Sequence, residues 1–298
     1  MTRHDIAAWL QAFQNRLCQQ LEAADGGPAR FGQDDWERPG GGGGHSRVLE
    51  GGAILEKGGV GFSQVEGELS EAAARQLHLP NPHFFATGVS VVLHPRSPRV
   101  PIIHMNVRYF EAGNGEAWFG GGIDLTPIYV DETQARRFHQ QLKAVCDRHN
   151  PSYYPRFHKW ADDYFYLPHR HETRGVGGIF FDRLTVGQDG TVEQLFAFVQ
   201  DVAELFGPFY VQLMRENVAL PYGAPEEAWQ QLRRNRYAEF NLAFDRGTRF
   251  GLETNGRTES ILMSLPPRCG WHYNPAPPAP GTPEATTLAW LRKGVEWV

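Results

Sequence analysis

Between Asp5 and Ala24 the apolar residues Ile6, Trp9, Leu10, Phe13, Leu17 and Leu21 fall three or four positions apart. That period places them on one face of a helix, and Gly26-Gly27-Pro28 ends it. Farther along, the period shortens. Val48 to Val65 predicts short strands broken by glycine pairs. Phe84 to His94 and Ile102 to Phe110 predict two strands joined by the turn-rich stretch 95–101. Trp118 to Leu125 predicts another strand, with Gly120-Gly121-Gly122 inside it. Asp131 can cap a helix running through Arg148, with Ala135, Phe138, Leu142 and Val145 on its buried face. A second, aromatic-rich helix is expected over Arg156 to Phe165, and a strand over Ile179 to Val186. Thr191 and Gln194 form a capping-box pattern ahead of Leu195, Val199, Val202 and Phe206. Pro225 to Arg234 predicts a helix. Arg236 to Phe244, Thr248 to Glu253 and Thr258 to Leu265 predict a meander, with Asn255-Gly256 as its last tight turn. A Pro-rich stretch at about 274–284 predicts an extended arm rather than a linker to a new domain. These elements imply one α+β domain over residues 1–298, built on a mostly antiparallel sheet.

Composition narrows the function classes. The 29 Lys and Arg against 34 Asp and Glu leave a net charge of −5, which disfavours a general nucleic-acid or anionic-membrane binder. An anionic ligand would therefore need a local cluster of arginines. The three cysteines, Cys18, Cys146 and Cys269, are far apart and never form a C-x-x-C pair, which excludes a disulfide framework and a thiolate metal centre. There is no run of about 18 apolar residues, so no membrane span is expected. The N-terminal pattern is amphipathic rather than an apolar signal region, so a reducing cytoplasm is the expected compartment. Neither G-x-G-x-x-G opening a βαβ unit nor a G-x-x-x-x-G-K-[ST] loop occurs; Gly40 to Gly44 lacks the Lys and Ser/Thr of a phosphate loop.

The candidate chemistry lies on one strand face. Side chains alternate along a strand with period two, so Ile103, Met105, Val107 and Tyr109 share one face and Ile102, His104, Asn106 and Arg108 the other. If the preceding strand is a neighbour, Ser90, His94, His104, Asn106 and Arg108 converge. An ordinary solvated sheet face is the plain alternative. Imidazoles, an amide, a hydroxyl and a guanidinium are, however, groups that orient ligands, unlike the Lys, Glu and Thr of a solvated face. His139, on a helix beside Phe138, and His169, in Leu167 to Glu172, are further candidates. Four histidines suit a divalent metal, though no H-x-H or H-E-x-x-H spacing supports one. Asp124, after three glycines, suits a base or a hydrogen-bond acceptor, or a plain turn residue. Arg257 reads as a hairpin arginine unless its turn folds over a site. Arg170, Arg174 and Arg183 read as surface or ion-pair residues.

Six ordered motifs carry a resemblance: Pro82 to Ser90, His104 to Glu111, Trp118 to Pro127, Tyr154 to Phe165, Pro168 to Asp182 and Gly256 to Ser264. With them the chain resembles the oxygen-dependent coproporphyrinogen III oxidase family over nearly its whole length. That resemblance implies a large, flat antiparallel sheet covered by helices on both faces, and a homodimer with its contact within 237–272. It implies oxidative decarboxylation of coproporphyrinogen III to protoporphyrinogen IX, with loss of two carbon dioxide molecules and O2 as co-substrate. No organic cofactor is implied, which agrees with the missing nucleotide loops. His104 is implied as the acid–base group and Asp124 as the carboxylate that holds the pyrrole N–H groups. Ser90, Asn106, Val107, Arg108, Asn255, Gly256 and Arg257 are implied as substrate contacts. His94, His104, His139 and His169 are implied as ligands of a divalent metal. Gly120 to Gly122 is expected to form a floor for a flat macrocycle. Set against this oxidase are a metal-dependent tetra-histidine oxygenase or hydrolase, and a tetrapyrrole-binding protein without catalysis.

Overall fold

A computed structural model describes residues 1–69, 74–75, 81–253 and 256–298. The chain opens with helix α1 (Arg3–Asp25), capped by reciprocal Thr2 and Asp5 bonds and ended by Gly26 at φ 68°. Six strands follow: β1 (Gly32–Glu37), β2 (Gly42–Glu50), β3 (Leu55–Glu68), β4 (His83–Pro95), β5 (Ile102–Ala112) and β6 (Ala117–Thr126). Helices α2 (Glu132–His149) and α3 (Tyr153–Tyr164) lead to a two-stranded ribbon, β7 (Tyr166–Leu167) with β8 (Glu172–Thr173), and then to β9 (Gly178–Thr185). Helices α4 (Val192–Asn217), α5 (Ala224–Ala243), α6 (Arg246–Glu253), α7 (Thr258–Leu262) and α8 (Pro283–Trp290) complete the described elements. Asp131 caps α2, and Thr191 with Gln194 caps α4, as the sequence predicts.

The large sheet runs β1-β2-β3-β4-β5-β6-β9, and every neighbouring pair is antiparallel. One face carries Val91, Leu93, Ile103, Met105, Val107, Ile123 and Phe181, all buried in a single core with the apolar stripes of α1, α2 and α4. Burial of this apolar surface, at about 25 cal/mol per Å2, is the main force holding helices to sheet. On the opposite face, Trp229 and Tyr237 of α5 pack on Val92 and Ile102, while Phe240 joins Phe165 and Phe180. Helices thus cover both faces of one α+β unit.

Two expectations fail. Arg236 to Phe244 is the second half of α5 and its C-cap, not a strand, and α6 and α7 replace the rest of the meander. Tyr237, Phe240 and Phe244 are spaced three and four apart, so a helix turns all three toward the sheet, Tyr237 onto Val92 and Ile102 and Phe240 with Phe244 beside Phe165, whereas strand alternation would split them between two faces. Asn255, expected in the last turn, lies outside the described residues. The 48–65 region forms two long strands, β2 and β3, in place of short broken ones. Among the described residues no helix is long and apolar enough to cross a membrane.

Burial brings the imidazoles of both His94 and His139 down to about 3. Their folded values lie below the unfolded value of about 6.5, so the unfolded chain takes up protons that the fold refuses. Their contribution to stability is complete above about pH 6.5 and is lost as the pH falls toward 3. Urea unfolding should therefore show stability dropping from pH 7 to pH 5. His139→Gln should shallow that slope by about one proton; an unchanged slope would refute the assignment.

Candidate active site

Strand register assembles the polar face. Residues directly opposite across an antiparallel ladder point the same way. His104 faces Val92 on one side and Asp124 on the other; Asn106 faces Ser90 and Gly122; Arg108 faces Gly88 and Gly120. The expected convergence of Ser90, His94, His104, Asn106 and Arg108 on one face is therefore present, and Asp124 joins it. α5 and the chain around α7 cover part of the face, over Val92 and Gly59–Gly61, and leave Arg108 38% exposed.

At its centre is a buried ion pair. Arg174 Nη2 donates to both Asp124 oxygens at 2.7 Å, and both side chains are only 2% exposed. The guanidinium lies over the rings of Phe165, Tyr237 and Phe240 at 4.4, 4.5 and 4.8 Å, and Nη1 donates to Asn241 Oδ1 at 2.8 Å. The position of Arg174 is set by its backbone: its N–H donates to Phe165 O at 2.8 Å, just after the β7–β8 ribbon. Burial would push the Asp124 carboxyl up, but the Arg174 charge, reinforced by His104, holds it below the ordinary carboxylate range. Asp124 Oδ1 also lies 2.7 Å from His104 Nδ1. That contact assigns the Nδ1 proton to the Asp124 side. Nε2 of His104 then has no protein partner among the described residues, and the ring is the exposed end of an Arg174–Asp124–His104 chain.

Arg108 stands two residues on from Asn106, donating to its Oδ1 at 3.0 Å and to Asp182 Oδ1 at 2.8 Å. Arg257 pairs with Asp34 on the edge strand β1. The segment behind it crosses the face: Ser260 Oγ is 2.7 Å from Ser46 Oγ, and Met263 lies on Gly59 and Gly61. The expected glycine floor is altered accordingly. Gly121 points at Phe181 in the core, whereas Gly120 admits the Arg108–Asp182 pair against its backbone; a Cβ there would sit 2.6 Å from Asp182. Val107, expected among the substrate contacts, turns its side chain into the apolar core, so only its backbone is on offer.

The four histidines do not form one donor set. His139 is wholly buried, with Nδ1 3.0 Å from Tyr154 Oη, Nε2 accepted by Val176 O at 2.9 Å, and Trp297 stacked on its ring. It belongs to the core beneath the apolar face. His94 donates from Nε2 to Ser264 O at 2.9 Å, and its Nδ1 is buried without a partner. His169 pairs with Glu239 and stacks on Phe244. Among the described residues no three His, Cys, Asp or Glu side chains are placed to hold a metal. The four histidines thus stand in separate places: His94 and His104 on the polar face, His139 in the core on the other side of the sheet, and His169 in the β7–β8 turn beside Glu239.

Asn241, Asp182 and Asp34 carry no signal of their own in the sequence, and Arg174 reads there only as a surface or ion-pair residue. The ion pair of Arg174 with Asp124 fits that reading, whereas its burial among Phe165, Tyr237 and Phe240 has no local signal.

Removing Arg174 would strand the Asp124 charge. Arg174→Met should destabilise the protein by about 3–5 kcal/mol in denaturant unfolding, and adding Asp124→Asn should restore part of that loss. Equal stabilities for wild type and Arg174→Met would show that the pair carries no such load.

The family model for coproporphyrinogen III oxidase matches residues 5–297. Among curated relatives, an oxygen-dependent coproporphyrinogen-III oxidase of Drosophila melanogaster is 47% identical over 309 residues, 99% of this chain and 78% of that protein. A mitochondrial protein of the same description from Homo sapiens is 48% identical over 302 residues, 96% of this chain and 65% of its own length. A chloroplastic one from Glycine max is 47% identical over 300 residues, 96% of this chain and 77% of that protein. With a match that runs from α1 to the last tryptophan and includes every strand of the polar face, the chain belongs to the coproporphyrinogen III oxidase family.

Proposed function

We propose that the chain is an oxygen-dependent oxidase that converts coproporphyrinogen III to protoporphyrinogen IX. The observation that carries this beyond family membership is the His104 ring, held by buried Asp124 on a face that also presents Arg108. Each propionate becomes a vinyl group and CO2, releasing one proton and two electrons. O2 takes those two electrons with two protons and leaves as hydrogen peroxide. Two such steps consume two O2 and release two CO2. The electrons come from the substrate, so the chemistry asks the protein for positioning and proton handling.

His104 is the group placed to handle the proton. Its Nδ1–H is committed to Asp124, which leaves Nε2 to meet a pyrrole N–H or a substrate methylene proton. Both Asp124 oxygens are engaged by Arg174 and His104, so Asp124 acts through the imidazole rather than by gripping the pyrrole N–H groups itself. Arg108 supplies a guanidinium, 38% exposed, that can take a substrate carboxylate bidentately. Arg257 is a second such anchor, with Ser90, Asn106 and the backbone of Gly256 adding hydrogen bonds; Asn255 is proposed with them on the family resemblance alone. Cys18 and Cys146 are not nucleophiles here, since burial pushes their thiols up to about 12. No step runs through a metal, given that the candidate ligands are separated.

A homodimer is proposed from the exposed apolar side chains of one region. Leu242, Leu252 and Trp271, the last 61% exposed, fall within 237–272, and exposed large apolar side chains suit an interface with a second copy. The unpaired cysteines support a reducing, cytoplasmic setting.

Purified protein should convert coproporphyrinogen III in air and not under argon, with two CO2 per product. Conversion should survive exhaustive chelation; loss on chelation, with no O2 consumed, would favour the metal hydrolase, and binding without a mass change would favour the carrier. His104→Gln should lower kcat by about 10^2- to 10^4-fold. Arg108→Ala should act mainly on KM. Light scattering should give twice the chain mass, reduced toward the chain mass by Trp271→Lys; a wild-type monomer at micromolar concentration would refute the dimer.

A further inference from the structure

Asp34 is a carboxylate on the substrate face to which the proposed reaction assigns no work. It stands on the edge strand β1 opposite Ser46, and the same row continues through Gly61, Ser90 and Asn106. It therefore points to the face that carries His104 and Arg108. Among the described residues its only polar side-chain partner is the Arg257 guanidinium, and its side chain is 55% exposed. Asp182, which pairs with Arg108, differs: it also accepts the Arg183 N–H at 3.0 Å and is fixed in place. Arg257 is incompletely satisfied, because its Nη1 is buried with no partner while Nη2 bonds Asp34.

We propose that Asp34 is a resident carboxylate that holds Arg257 in the substrate-free protein and yields it when a substrate carboxylate binds. The inference rests on Arg257 being a substrate anchor. One ion pair is exchanged for another, so the guanidinium is never left without a counter-charge while it waits. An incoming carboxylate that bonds both Nη1 and Nη2 forms more bonds than Asp34 does, and so wins. The exchange also discriminates between ligands. A substrate with four carboxylates competes better for Arg257 than a product that has lost two. Asp34 is thus a specificity-setting residue that acts through Arg257.

The competitor's strength bounds its effect. A pair this exposed shifts affinity by at most about fivefold. Anaerobic titration calorimetry with coproporphyrinogen III at 150 mM salt measures binding without turnover. Asp34→Asn should tighten the wild-type Kd by about two- to fivefold, and Asp34→Glu should restore it. Asp35→Asn removes the same charge one residue away, from a side chain that faces the other side of β1 and bonds His45 at 2.6 Å; it should leave Kd near wild type. In an Arg257→Gln background, Asp34→Asn should have no effect. Equal tightening by Asp34→Asn and Asp35→Asn would reveal a general charge effect and overturn the proposal. So would an unchanged or weaker Kd for Asp34→Asn where Arg257→Gln alone weakens binding. If Arg257→Gln binds as tightly as wild type, the anchor assignment fails and the Asp34 proposal fails with it. Melting curves matching wild type for each variant exclude a folding explanation.

Discussion

The buried Asp124–Arg174 pair is the constraint on which the site depends. Neither charge is tolerable alone at this depth, since an isolated ion in a low-dielectric interior costs several kcal/mol even after relaxation. Together they satisfy one another, and the three rings around Arg174 replace the water its guanidinium gives up. The pair adds a side-chain link between strand β6 and the segment after the β7–β8 ribbon, which also meet through hydrogen bonds from Val176 N–H to Leu125 O and from Leu125 N–H to Gly177 O. Through Tyr237, Phe240 and Asn241 it also fixes where α5 sits on the sheet. His104 is oriented by the same carboxylate, so the placing of the roof helix and the aim of the imidazole follow from one interaction.

The two faces of the sheet divide the work. The apolar face buries a continuous core under α1, α2 and α4 and supplies most of the stability. The polar face spends part of that stability on charged groups held at short range. Glycines there are used by the protein's own side chains: Met263 lies against Gly59 and Gly61, and the Trp36 ring lies against Gly44, where a Cβ would come within 2.5 Å. Close approach to the backbone is thus already exploited before any ligand arrives.

Both outward arginines, Arg108 and Arg257, carry an aspartate, and the aspartates are held differently. In a chain of net charge −5 this pairing keeps two cations ordered on a face whose ligand must be drawn by local rather than global charge. The fixed Asp182 orients; the singly bonded Asp34 can leave.

The spacing of apolar residues determined α1, α2 and the strands β4 to β6, because those segments have one dominant period and clear caps or turns. It also determined that His104, Asn106 and Arg108 share a face, since period-two alternation is a local property of any strand; Ser90 joins them only through the β4–β5 register. The helical state of 236–244 was hidden, because three aromatics in a short stretch satisfy strand propensity as well as helical spacing, and packing against Phe165 decided between them. The dispersal of the four histidines, the burial of Arg174 and the pairing of Asp34 with Arg257 were decided only by tertiary structure. The two ion pairs join residues 50 and 223 positions apart, and no local period or propensity encodes which distant element comes to rest beside a given side chain.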